Sequence, residues 1–228
     1  NGSFNQTKDI ALNLAKSLVS VAQGAGLKCQ ALLTDMNQVL GWNAGHSLEI
    51  KEIAEYLSNN KKNNRLEKIT NELCASVLMM TKKIDRKAAN EKINFVIDSG
   101  KAAEKFDKMV FALGGPINFL KNYNNHLKTA PFIGEIFSKK SGTINSIDTR
   151  ELGLILIELG GGRKQIKDKI DYSVGYENVA SVGDYVDQSC ALMNVHTSSE
   201  ADYKKVQEKI ENCFSISGNS QTQFEMIY

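Results

Sequence analysis

The sequence predicts an α/β region rich in helices over residues 1–128, followed by an α+β region over residues 129–228. Three observations predict it. An amphipathic helix, a Gly-containing turn and a short apolar run open the chain, which is half of an α/β repeat. Three stripes of apolar residues at helical spacing follow between Leu66 and Leu113. After Thr129 the period changes, and short stretches alternate apolar and polar residues around Gly. The chain has 228 residues, 42% hydrophobic and 24% charged, enough apolar content for a sizeable core. That length accommodates one or two domains.

The first helix is expected from Thr7 to Gln23. Ile10, Ala11, Leu14, Ala15, Leu18 and Val21 share one face, Thr7 is a suitable N-cap, and Gly24 and Gly26 stop it. Leu27–Leu33 reads as a short buried strand. A helix starts near Ser47, carries Leu48, Ile53, Ala54 and Leu57, and ends before Asn59-Asn60. Asn59–Asn64 is a polar loop. Leu66, Ile69, Leu73, Val77 and Met80 then form one stripe, and Ala88–Ile97 and Ala102–Leu113 two more. The last two are ended by Ser99-Gly100 and by Gly114-Gly115-Pro116. These stripes read as core faces rather than a cofactor box. In the C-terminal region one helix is expected from Thr149 to Leu159, capped by Asp148 and ended by Gly160-Gly161-Gly162. Ile170–His196 suits hairpins around Gly175 and Gly183, and Ser199–Cys213 is a final helix with Ser199 as cap. The domain boundary falls near 125–140, and no internal repeat or low-complexity tract is present.

Several function classes lose support from composition. A formal net charge of +2 gives no basis for a nucleic-acid or membrane-surface partner. No run of about eighteen apolar residues is present, so no membrane span is expected. No basic-then-apolar leader opens the chain, so nothing indicates secretion and a cytoplasmic protein is expected, although a leader would be lost with any missing upstream sequence. Cys29, Cys74, Cys190 and Cys213 are scattered without a Cys-x-x-Cys pair, and they read as buried thiols in a reducing compartment. His46, His126 and His196 are equally dispersed and form no metal-ligand spacing.

Four segments are candidates for chemistry. Gly160-Gly161-Gly162-Arg163 follows a helix, so it meets carbonyls and the negative end of the dipole, where a phosphate loop would need N–H groups. It reads as a C-cap and turn, with Arg163 placed to neutralise the helix end. Asn1-Gly2-Ser3-Phe4 is a loop entering a helix. Phe4 either lines a ligand pocket or packs as a hydrophobic staple onto that helix. Leu40–Glu52 is a Gly-rich loop followed by a carboxylate-bearing helix, an arrangement able to hold a hard cation through oxygen atoms. On spacing alone, Glu49 and Glu52 read as a solvated helix face. Asp35 stands at a strand end, where α/β ligand crevices open, and is either functional or a loop cap.

Two blocks together carry a family resemblance. The first is Leu33-Thr34-Asp35-Met36-Asn37-Gln38-Val39-Leu40-Gly41, then Ala44-Gly45, Leu48-Glu49 and Glu52. The second is Ile147-Asp148-Thr149-Arg150-Glu151-Leu152-Gly153, then Glu158-Leu159-Gly160-Gly161-Gly162-Arg163. With Ser141-Gly142, Asp171-Tyr172-Ser173-Val174-Gly175 and Gly183-Asp184, the chain resembles the pyrimidine nucleoside phosphorylases, the thymidine phosphorylase family. The resemblance implies a truncated central α/β domain and then the family's C-terminal α+β domain, a hammerhead related in shape to biotinyl/lipoyl carriers. A carrier needs a Lys at an exposed hairpin tip, and Tyr176–Gly183 contains none, so carrier function is not expected.

The resemblance further implies phosphorolysis. A pyrimidine (deoxy)nucleoside and phosphate, the co-substrate, give the free base and a pentose 1-phosphate, with no organic cofactor. Phosphate would be held by Lys, Ser/Thr and backbone N–H donors, and the leaving base stabilised by cationic and hydrogen-bonding groups. By resemblance Phe4 packs on the base. Leu40 and Asn43 by carbonyl, and Glu52 by carboxylate, hold a potassium ion. Asn43 departs from the family, which shows a small or apolar residue there, a change a carbonyl ligand tolerates. The phosphate donors, and the Arg, Ser and Lys that grip the pyrimidine, precede Asn1 in the family. The chain, which opens without an initiator Met, is therefore expected to be the C-terminal part of a homodimeric enzyme and inactive alone. Alternatives are an inactive remnant with a binding or scaffolding role, and a nucleotide phosphorylase, for which no added basic cluster is present.

Overall fold

The computed structural model describes residues 2–218 and 225–227. The chain runs through α1 (Lys8–Gly24), α2 (His46–Leu57), α3 (Asn64–Lys82), α4 (Arg86–Asp98), α5 (Lys101–Ala112) and α6 (Phe119–His126), then β1 (Phe132–Phe137), β2 (Gly142–Ile147) and α7 (Thr149–Glu158). It ends with β3 (Gly175–Glu177), β4 (Tyr185–Val186), β5 (Ala191–Thr197), α8 (Glu200–Asn212) and β6 (Phe214–Ser217). The fold is thus mixed α and β, with eight helices and two small antiparallel sheets among the described residues. Local signals placed most helix ends. Thr7, Asn63, Asp85, Asp148 and Ser199 each accept a backbone N–H in the first turn of the helix they precede. At the end of α7, Gly160 takes φ +97°. The Gly161 N–H reaches the Leu156 carbonyl at 2.9 Å and the Gly160 N–H the Ile157 carbonyl at 3.1 Å. This is a helix stop of the Schellman type, and it uses the glycines as a cap and turn.

The chain folds as two compact units, and neither is one continuous stretch. The first holds the described residues 2–3, 36–53 and 123–218. Its sheets have strand orders β1-β5-β3 and β4-β2-β6. β5 pairs antiparallel with β1 (Gly134 opposite Val195) and with β3 (Tyr176 opposite Val195), with a bulge between Ile136 and Phe137. One apolar cluster gathers Ile136, Ile144, Ile155, Tyr176, Leu192, Val195, Val206 and Ile210 from these strands and from α7 and α8. Tyr176 is buried to its hydroxyl, which donates to the Leu152 carbonyl at 2.9 Å. A buried donor is thereby satisfied, and burial pushes the phenol pKa upward.

The hairpin expectation for Ile170–His196 needs correction. β3 does not pair with β4. It pairs with β5, while β4 joins β2 in the other sheet. Alternation reports which face of a strand is buried, and several partners satisfy that equally.

The second unit holds the described residues 4–35, 54–122 and 225–227. Here α3 and α4 pack through Ala75, Ala89 and Ile93, flanked by Leu78, Met79 and Ile84. Two expectations are overturned. Leu27–Leu33 is not a buried strand. Among the described residues it joins no ladder, and only Thr34 forms a bridge, antiparallel to Ile227. An apolar run becomes a strand only where a neighbour takes up its backbone N–H and C=O groups. Nor are all the apolar stripes core faces. α1 buries no residue, and Ile10, Leu14, Leu18 and Val21 are all exposed. Leu73 and Val77 of α3, with Phe95 and Val96 of α4, line an open apolar groove of about 860 Å³. Helical spacing shows that a face prefers burial, not that something covers it.

Candidate functional site

The Gly-rich loop before α2 is built around one carboxylate. Glu52 lies in the second turn of α2 and is only 5% exposed. Its Oε1 accepts the Trp42 N–H at 2.8 Å and its Oε2 the Asn43 N–H at 3.1 Å. Two consecutive amides thus aim at one buried charge, as in an anion-binding turn. A side chain at Gly41 would collide with this carboxylate, which explains glycine there. Glu49, one turn earlier and exposed, folds back to accept the Gly45 N–H at 3.0 Å.

The loop is stitched to β3. Ala44 and Tyr176 form an antiparallel bridge with N–H···O distances of 2.9 and 2.7 Å. Asn43 is 8% exposed, and its side chain works on both sides. Nδ2 donates to the Leu48 carbonyl at 3.2 Å, and Oδ1 accepts the Asn178 N–H at 3.1 Å. An asparagine here therefore fastens the loop to α2 and to the residue after β3. A cavity of about 220 Å³ opens beside the loop, lined among others by Leu40, Asn43, Ala44, Glu49, Thr149 and Tyr176.

Next to Glu52, Lys51 points to β3. Its Nζ donates to Glu177 Oε1 at 2.7 Å, and Glu177 Oε2 lies 3.2 Å from Nε2 of His196. Glu177 and His196 are diagonal neighbours on β3 and β5, since Gly175 stands opposite His196 and Glu177 opposite Asn194. The hydrogen bond with His196, and then the one with Lys51, hold the Glu177 carboxyl down to about 2, against the opposing effect of burial. A carboxylate with a lowered folded-state pKa adds stability that is fully present above its unfolded pKa, near 4.5, and is lost as pH falls through about 2. We expect the stability of Glu177→Gln to fall less than wild type between pH 4.5 and pH 2, measured by urea unfolding across that range. Parallel curves would contradict the assignment.

Leu40, Asn43 and Glu52 all belong to the first unit; the Asn43 N–H meets Glu52, and Leu40 lines the neighbouring cavity with Asn43. Phe4 belongs to the second unit and is fully exposed, so it forms no staple onto α1. Asn1 lies outside the described residues. Asp35 is buried in the second unit, where Arg65 Nη2 lies 3.1 Å from its Oδ2. Arg163 is exposed. Of the four free cysteines only Cys213 is buried, and its thiol is pushed up to about 12. The expected burial of all four is corrected, because Cys74 and Cys190 are exposed. Lys51, Glu177 and His196 had no signal in the sequence. Their meeting depends on the register of β3 against β5.

A hard cation takes oxygen donors. Leu40 and Asn43 can offer carbonyls, Glu52 a carboxylate, and all are oxygen. Among the described residues no three His, Cys, Asp or Glu side chains gather as a metal cluster, so a cation here would rest on carbonyls and one acid.

Residues 143–217, which run from β2 to the end of β6, match the family described as the pyrimidine nucleoside phosphorylase C-terminal domain. The chain carries that domain. The pyrimidine nucleoside phosphorylase C-terminal domain holds β3, which bridges to Ala44 of the Gly-rich loop, so the loop is anchored directly on it. β1 precedes the matched span yet supplies an outer strand of its sheet. No helix among the described residues is long and apolar enough to cross a membrane.

Proposed function

We propose that the chain acts in the phosphorolysis of pyrimidine (deoxy)nucleosides, thymidine and phosphate giving thymine and 2-deoxyribose 1-phosphate. The observation that carries this reading is the match of residues 143–217 to the pyrimidine nucleoside phosphorylase C-terminal domain. In the reaction the C1′–N bond of the nucleoside breaks, a phosphate oxygen bonds to C1′, and the departing base takes a proton. Charge builds on the base and on a sugar of oxocarbenium character, so preorganised donors and the phosphate itself lower the barrier. The donors for phosphate and base are proposed to lie outside residues 1–228; Phe4 is proposed only to pack on the base, and residues 1–228 alone are expected to be inactive.

The part of this chain is to shape the loop. Leu40 and Asn43 through carbonyls, and Glu52 through its carboxylate, would hold a potassium ion, which would brace the loop electrostatically. Glu52 presents a fixed charge because the Trp42 and Asn43 amides orient both oxygens. A homodimer in the cytoplasm completes the reading. The test is phosphate-dependent release of thymine or uracil by the complete gene product. Release with phosphate and none without it is the expected result. No release from any pyrimidine nucleoside, with phosphate and potassium supplied, would remove the reading. Release by residues 1–228 alone would remove the assignment of the donors elsewhere.

A further inference from the structure

We infer that Lys51, Glu177 and His196 form a clasp that positions the cation site at Glu52, an inference that rests on the reading above. Lys51 and Glu52 are consecutive on α2, so their side chains leave the helix about 100° apart. Glu52 faces the loop and holds two of its amides. Lys51 faces β3 and meets Glu177 at 2.7 Å. The helix is thereby gripped on two sides, and the roll of α2 that sets the Glu52 carboxylate is set in part by Glu177.

Glu177 is itself held. Its second oxygen lies 3.2 Å from His196, whose side chain is 7% exposed, on the central strand of the β1-β5-β3 sheet. The clasp thus ties the cation loop to the middle of the C-terminal domain. Among the described residues, backbone bonds and the Asn43 amide also link the loop to β3. The clasp carries charge across to α2, so it is a link that feels a cation arriving at Glu52. Partners that orient a metal ligand change metal affinity by about 10- to 100-fold when removed.

The experiment measures thermal unfolding of the complete gene product against potassium concentration, with choline chloride holding ionic strength constant. Lys51→Met keeps the apolar stem of a half-exposed lysine and is expected to fold. Glu177→Gln keeps the shape and removes the charge. Lys209→Met, which breaks the exposed pair with Glu158, is the control. Wild type should be stabilised by potassium. The half-saturating concentration should rise about tenfold in Lys51→Met and in Glu177→Gln. It should rise no further in the double variant, because both residues act through one link. Lys209→Met should leave it unchanged. A merely structural role would lower the melting temperature equally at every potassium concentration and leave the half-saturating value alone, and that result overturns the inference. If wild type does not respond to potassium, the cation reading fails and the inference goes with it. If wild type responds and the variants match it, only the inference fails.

Discussion

Glu52→Ala is expected to destabilise the first unit by about 4 kcal/mol, because it strands two amide donors at once. The Trp42 and Asn43 N–H groups point at a carboxylate that is 5% exposed, and alanine offers them nothing. An unmet buried donor costs about 1–3 kcal/mol, and a bond to a charged acceptor is at the upper end of that range. Glu52→Gln separates charge from geometry. Its amide keeps one acceptor oxygen, while its NH₂ group faces an N–H, so it should lose about half as much. Urea unfolding of both variants measures this. A loss under about 1 kcal/mol for Glu52→Ala would mean that water reaches the loop and that Glu52 does not organise it.

Gly45→Ala should cost about 3 kcal/mol through strain and crowding together. Gly45 has φ +130°, a conformation that residues with a Cβ rarely adopt, and an added Cβ would lie 2.7 Å from the Val174 carbonyl oxygen. Across the bridge, a Cβ at Gly175 would lie 2.8 Å from Leu48 Cδ1 and 3.1 Å from the Gly45 Cα. The two glycines let two backbones meet, and the Ala44–Tyr176 pairing depends on that approach. Gly153→Ala is the comparison, since a Cβ there meets nothing within 4 Å. It lies inside α7, where alanine is the better helix former, so it should be neutral or stabilising. Equal melting temperatures for Gly45→Ala and wild type would show that the loop and β3 are not locked together.

Helix ends were the most legible part of the fold. Thr7, Asp148 and Ser199 cap the helices that their types and positions predicted, and Gly160 ends α7. These are interactions between residues a few positions apart, so local chemistry decides them. The apolar stripe of α1 was equally regular in the sequence, yet its residues stay exposed. Leu27–Leu33 had the composition of a strand and joins no ladder among the described residues. In both cases the missing information is the partner, which no local pattern contains.

The candidate site divides in the same way. The Gly-rich loop was visible in the sequence, but Leu40, Asn43 and Glu52 were singled out by family resemblance alone, since spacing read Glu49 and Glu52 as a solvated helix face and Glu52 is buried. The double use of the Asn43 side chain was not visible, since Asn178 is 135 residues away. Nor was the Lys51–Glu177–His196 clasp, which spans 126 residues between lysine and acid. The sequence by itself determined where α1, α7 and α8 begin, where α7 ends, and which loop is rich in glycine. Tertiary structure alone decided that Glu52 turns inward to the loop amides and Lys51 to β3. The register of β3 against β5 placed Glu177 beside His196. Register is a choice among pairings of nearly equal local energy, and only the packing of the whole core selects one.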